Sequence, residues 1–117
     1  MSQTKKQTRK LFRDTVFARD GHKCRVCFQV EKPDCHLDAH HITDRNKMPS
    51  GGYVLENGIS LCPRCHDKAE DFHRTNGEFV EDGYEPEHLY NLIGSSLSLA
   101  WRASGTKALK DIPDEIS

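Results

Sequence analysis

The chain has 117 residues, enough for one domain, and only 35% of them are apolar. Leu, Ile, Val and Phe together number 24, just above the roughly 20% below which chains stay disordered, while Cys and His contribute 5 and 7. A thin core with that stock of ligand side chains points to a metal as part of what holds the fold together. The longest apolar run is a few residues, which excludes a membrane-spanning helix, so no membrane partner is expected. The opening residues Met1-Ser2-Gln3-Thr4-Lys5-Lys6 lack the apolar stretch of a secretory signal, so a cytoplasmic, reducing setting is expected.

Net charge is −1, but it is unevenly distributed. Residues 1–28 carry eight basic and two acidic side chains, residues 29–66 four and five, and residues 67–117 five and eleven. The basic block offers a phosphate-binding face or an ordinary solvated helix.

In chain order, residues 1–7 read as a mobile arm. A basic helix follows over 8–20, its stripe formed by Leu11, Phe12, Thr15, Val16 and the stem of Arg19, with Gly21 as its stop. Residues 22–36 are loop-like. Leu37 to Ile42 alternates as a strand, residues 43–56 are a loop carrying Gly51-Gly52, and Gly58 to Leu61 is a second strand. Pro63 stands at a helix start, and the helix runs to about Thr75. Residues 76–85 are acidic and turn-rich. A second long helix spans 86–103, with Leu89, Leu92, Ile93, Leu97, Ala100 and Trp101 on its apolar side, and 106–117 is a polar tail.

Two Cys-x-x-Cys pairs, Cys24/Cys27 and Cys62/Cys65, lie 34 residues apart. Two-residue spacing lets both thiolates of a pair reach one ion, and four complete a tetrahedral, closed, structural Zn²⁺ site. A redox pair is the competing reading, without a βαβ pattern to support it. Cys35 and His36 are rival ligands, with a spare thiol the expected role of Cys35. Between and beside the pairs stand His40-His41 at a strand end, Asn57 before the second strand, and His66 after the last cysteine. Imidazoles bind divalent ions and act as bases near neutral pH.

The run Cys24-x-x-Cys27, Asp38-Ala39-His40-His41-Ile42, Gly51-Gly52 and Asn57-Gly58-Ile59-Ser60-Leu61-Cys62-x-x-Cys65-His66 resembles the HNH endonucleases, the zinc-knuckle branch of the ββα-metal (His-Me finger) nucleases. The resemblance covers about residues 10–75 and implies a small α+β domain spanning 1–117: a ββα-metal core at 22–75, a four-cysteine structural zinc and flanking helices. By the same resemblance His41 is the general base, Asn57 orients and polarises its imidazole, and His40 and His66 hold the catalytic divalent ion. Some members place a further ligand histidine one turn after the position of His66; here that position is Glu70, a candidate extra ligand, with His73 two turns on and read as a surface residue.

The implied activity is metal-dependent hydrolysis of DNA phosphodiesters by nicking, leaving 5′-phosphate and 3′-hydroxyl ends. The metal is Mg²⁺ or Mn²⁺, an imidazole pair also admitting Ni²⁺, Co²⁺ or Zn²⁺. DNA is the expected partner, with Lys5, Lys6, Arg9, Lys10, Arg13, Arg45 and Lys47 the candidate phosphate contacts and the acidic 67–87 segment turned away from it. The alternatives are a catalytically silent zinc-binding module for DNA or protein, and an adaptor using the 86–102 helix as its interface. Monomer and homodimer both remain open.

Overall fold

The computed structural model describes residues 4–105. It is a small α+β fold: α1 (Lys5–Arg19), β1 (Asp38–His41), β2 (Gly58–Leu61), α2 (Pro63–Arg74), α3 (Pro86–Leu92) and α4 (Leu97–Ser104). Strands β1 and β2 pair antiparallel, with His40 opposite Ile59 and His41 opposite Gly58. No helix among the described residues is long and apolar enough to cross a membrane.

Helix α1 starts earlier than its apolar stripe suggests. Thr4 accepts a hydrogen bond from the Gln7 N–H at 3.1 Å, and the Gln7 side chain accepts one from the Thr4 N–H at 2.9 Å. This reciprocal cap satisfies two orphan donors, so residues 5–7, expected in the arm, are helical; residues 1–3 of that expectation lie outside the described residues. The tail 106–117 also lies outside them.

The buried face of α1 is Phe12, Val16 and Phe17, and Leu11 is 51% exposed. That face lies directly on β2. A Cβ added at Gly58 would come within 2.5 Å of Val16 Cγ2 and 2.8 Å of the Phe12 ring, so the helix packs this closely only because position 58 has no side chain. The far end of α1 is fastened by polar bonds. Arg19 donates to the carbonyls of Leu55 and Gly58 at 2.9 and 2.7 Å, and the fully buried Asp20 carboxylate accepts from Ser60 N–H at 2.8 Å.

The single C-terminal helix expected over 86–103 is two helices. Gly94 adopts φ +67°, α3 closes with Ser95 N–H donating to the Tyr90 carbonyl at 2.9 Å, and Ser96 caps α4 through the Leu99 N–H at 3.1 Å. A left-handed glycine just past a helix end, followed by a serine cap, ends one helix and starts the next. The break folds the pair around the loop between the strands: Ser95 donates to the Glu56 carbonyl at 2.8 Å, and Ala100 is buried. Leu89 joins the main core with Ile42, Ile59 and Leu61, whereas Leu97 and Leu99 are exposed. The loop itself is three short 3-10 turns, 45–47, 49–52 and 55–57, rather than featureless chain.

Because α1 and β2 touch at Gly58, Gly58→Ala is expected to destabilise the fold by about 1–3 kcal/mol through overpacking. Urea unfolding measures this; an unchanged midpoint would mean that α1 can move back without loss.

Candidate active site

The four cysteines of the two pairs converge. Cys24, Cys62 and Cys65 are buried, Cys27 is half-buried, and their sulfurs lie within 4.8 Å of one another. Cys27 Sγ and Cys62 Sγ are 3.6 Å apart. Four sulfurs about 2.3 Å from one tetrahedral ion would be about 3.8 Å apart, so the donor set fits a zinc site. Cys35 is buried but outside this group. Burial raises its thiol above the ordinary value, reinforced by Cys62 and Cys27.

The cluster sits where α2 begins, because Pro63 takes the first helical position immediately after Cys62. Clipping the loop at 24–27 to the helix start swings the next turns of α2 across β1. Residues 66, 70 and 73 lie one and two turns apart, so one stripe of α2 presents His66, Glu70 and His73 to His40. One ligand atom from each of His40, Glu70 and His73 lies within 4.8 Å of the others. Glu70 Oε2 is 4.0 Å from His40 Nδ1 and 3.8 Å from His73 Nε2. The His40 and His73 rings stack at 5.2 Å. Among the described residues this is the second group able to hold a cation.

This grouping changes several expectations. Glu70, the candidate extra ligand, faces the site, so the acidic 67–87 segment is not wholly turned away. His73, expected at the surface, has a side chain only 14% exposed, and its Nε2 lies 2.9 Å from the His41 carbonyl. Its position seven residues after His66 was the available signal, since i, i+4 and i+7 share a helix face. His66 lies beside the three-residue group, its Nε2 3.5 Å from Glu70 Oε1 and its Nδ1 3.2 Å from Asp38 Oδ2.

The electrostatics follow from these neighbours. Burial pushes His40 down to about 3, with the adjacent His66 adding to the effect, so His40 is a neutral imidazole with a free lone pair. Hydrogen bonding to His66 holds Glu70 down to about 2, against burial. Burial lowers His66, but hydrogen bonding to Glu70 and the charge of Asp38 outweigh it, and the net shift is upward.

His41 follows His40 on β1 and therefore points to the opposite side of the strand. Its ring stacks on Phe12 of α1 with centroids 4.5 Å apart and meets the Tyr53 ring edge-on at 4.7 Å. Burial, with the Arg45 charge second, lowers its pKa to about 4. Nε2 is buried without a partner among the described residues, which leaves Nδ1 as the ring nitrogen open to the cleft.

Asn57 makes no direct hydrogen bond to this imidazole. Its Oδ1 accepts from Thr43 N–H at 3.0 Å and from the Tyr90 hydroxyl at 2.7 Å, and its Nδ2 donates to the carbonyls of Thr43 at 3.1 Å and Gly52 at 3.2 Å. All four hydrogen-bonding positions of the amide are filled, and the two Thr43 backbone groups fix which end is oxygen. Asn57 therefore clamps the loop that leaves His41. Gly52, at φ +65°, admits it: a Cβ there would lie 2.7 Å from Asn57 Nδ2.

A cleft of about 550 Å³ opens over His41, His66, Glu70 and His73. Arg9 and Arg13 of α1 and Arg45 of the loop line it, together with Arg74 of α2, which the charge pattern had not singled out. Arg74 is paired to Asp67 at 2.7 Å and Asp71 at 2.8 Å. Arg45 donates to the Tyr53 hydroxyl at 2.9 Å. Lys5 lines an adjoining hollow of about 350 Å³ that shares Arg9, Arg45 and Tyr53 with the cleft. Lys6, Lys10 and Lys47 line neither: Lys10 pairs with Asp14 at 2.6 Å and Lys47 donates to Asn76 at 3.0 Å. The helical phase of α1 separates them, since residues 5, 9 and 13 share one face and 6 and 10 another.

Residues 24–72 match the family model described as HNH endonuclease, which bears out the resemblance carried by the sequence motifs. The match contains both cysteine pairs, His40, His41, Asn57, His66 and Glu70, and stops one residue before His73. No curated protein and no solved structure matches the chain.

If the sulfur cluster holds zinc, Cys62→Ser should lose stoichiometric zinc and with it much of the cooperative unfolding transition, since structural zinc binding is worth roughly 10 kcal/mol or more. Elemental analysis alongside a thermal melt checks both; a variant that melts like the parent without zinc would remove the metal from the folding account.

Proposed function

We propose, starting from the HNH endonuclease match over residues 24–72, that the chain is a metal-dependent nuclease that hydrolyses DNA phosphodiesters. The observation that carries the reading is the convergence of His40, Glu70 and His73 beside the cleft that exposes His41 and is rimmed by arginines. Neither group alone calls for a phosphodiester. Together they provide a base, a cation site and counter-charges for a polyanion.

His40, Glu70 and His73 would hold the catalytic ion, with His66 next to them. Two imidazoles and a carboxylate suit Mn²⁺ and neighbouring first-row ions as well as Mg²⁺. A divalent ion bound there supplies charge neutralisation at the phosphoryl group and the leaving oxygen. The remaining work falls to side chains. His41, neutral at ordinary pH and held between Phe12 and Tyr53, accepts a proton from the attacking water through Nδ1. The new O–P bond forms as the P–O3′ bond breaks, and the 3′-oxygen leaves to take a proton. The products are 5′-phosphate and 3′-hydroxyl ends. Arg9, Arg13 and Arg45 engage flanking phosphates, and Lys5 extends the same track. One chain carries one such site, so a single encounter nicks one strand.

Arg9, Arg13 and Arg45 on the rim would give a chain of net charge −1 its affinity for DNA. Binding that rests on these phosphate contacts weakens steeply as salt rises.

Supercoiled plasmid with Mg²⁺ or Mn²⁺ is expected to relax and then linearise, with EDTA abolishing the reaction. His41→Ala should lower kcat by roughly 10²–10⁴ with the zinc content retained. His73→Ala should need roughly tenfold or more divalent ion for half-maximal rate. Wild-type protein that binds plasmid and leaves it intact across several divalent ions would replace the nuclease with the silent binding module.

A further inference from the structure

From the hydrogen bonds around Asn57 we infer that Tyr90, on a helix outside the family match, is a positioning residue for the proposed reaction. It holds the loop that follows His41 in its working geometry through Asn57 and Thr43. The inference rests on the nuclease reading above.

The Tyr90 hydroxyl is the one side-chain group from α3 that reaches the base of the strand loop. It has one proton and donates it to Asn57 Oδ1 at 2.7 Å. The Thr43 hydroxyl, also 2.7 Å away, must then be the donor in its own contact with Tyr90. Burial pushes the phenol up to about 12, so it keeps that proton at any working pH.

Asn57 passes the constraint on. Its amide grips Thr43 by both backbone groups and Gly52 by its carbonyl, and its own carbonyl accepts from Ile42 N–H at 2.9 Å. Residues 42 and 43 follow His41 directly. Tyr53, whose ring meets the base edge-on, and Arg45, which donates to the Tyr53 hydroxyl, line the cleft and sit in the same loop. The loop is therefore anchored at Thr43 and Gly52, and its buried anchor point is completed from α3.

Tyr90 is 4% exposed and does not line the cleft, so it does not reach a phosphate or an ion held there. Its effect on the reaction is indirect. Removing the hydroxyl leaves Asn57 Oδ1 with one donor in place of two and the Thr43 hydroxyl without its acceptor. Asn57 is fully buried and Thr43 half-buried, and a loosened anchor misplaces His41 relative to the phosphate. A misplacement of about 1 Å can cost about 10²-fold in rate.

The test is Tyr90→Phe and Thr43→Val, alone and together, assayed on plasmid well below the melting temperature of each variant. Zinc content and circular dichroism check the fold. Tyr90→Phe should lower kcat about tenfold. The KM for DNA and the divalent-ion requirement should stay within twofold, since no cleft residue or ligand has changed. Hydrogen exchange at the Thr43 amide should speed up. The double variant should be no slower than the worse single one, as expected of residues acting through one linkage.

Equal kcat for wild type and both single variants overturns the inference and leaves the nuclease reading intact. So does a rate loss that appears wholly in KM, or an unchanged Thr43 exchange rate. Wild-type protein that fails to cut DNA under any divalent ion removes the nuclease reading, and this positioning role falls with it. Thr43→Val supplies the same comparison if Tyr90→Phe does not fold.

Discussion

Four sulfur atoms set the geometry on which the site depends. The domain has a two-stranded sheet of four-residue strands, which is marginal on its own in water. The sheet and α2 meet through the cysteine cluster rather than through a broad apolar face. With Cys24 and Cys27 fixed to Cys62 and Cys65, the axial position and rotation of α2 over β1 are set at its first turn. His66, Glu70 and His73 then fall where they do because they are one, two and nearly three turns further along a rigid rod. A shift of the helix by one residue would rotate that stripe by about 100° and separate Glu70 from His40.

The second constraint is electrostatic. The site gathers three imidazoles and a carboxylate in a partly desolvated space, where two charged histidines would repel. Burial resolves the conflict by keeping His40 neutral, and Glu70 remains ionised because His66 donates to it. The outcome is a set of lone pairs and one negative charge facing inward, with guanidinium groups around the rim. A cation is attracted to the inner group and a polyanion to the outer one. Net charge, which sums both, conceals the arrangement.

Much of this was legible in the sequence, and the misses have identifiable physics. Spacing located the sulfur cluster because a Cys-x-x-Cys turn constrains geometry locally. The strands were found by alternation, and His40 and His41 by their place at a strand end. Three features depended on partners that periodicity does not show. Helix α1 was placed too late because its first turn is stabilised by the Thr4–Gln7 box, not by apolar burial. The 86–103 segment was read through its break because its apolar stripe continues across Gly94, while the backbone there adopts a left-handed turn. Asn57 was given the imidazole as its partner by resemblance. Its actual partners, Thr43, Gly52 and Tyr90, come from positions 14, 5 and 33 residues away. His73 taken alone reads as a surface residue, although the helical face it shares with His66 and Glu70 is present in the numbering.

The stacking of Phe12 on His41 bears on how the motif can be moved. The family match begins at Cys24, and yet one wall of the His41 imidazole is an aromatic ring on a helix that ends at Arg19. A fragment trimmed to the matched residues would keep the sulfur cluster, His40, Glu70 and His41 itself, and would lose His73 by one residue. It would expose the ring to bulk water on the side Phe12 now covers, raise the local dielectric and free the side chain to change rotamer. The portable unit of this chemistry is therefore larger than its signature. Its outer boundary is drawn by whichever flanking helix shields the base, and that helix can differ from one host chain to another without a trace in the motif.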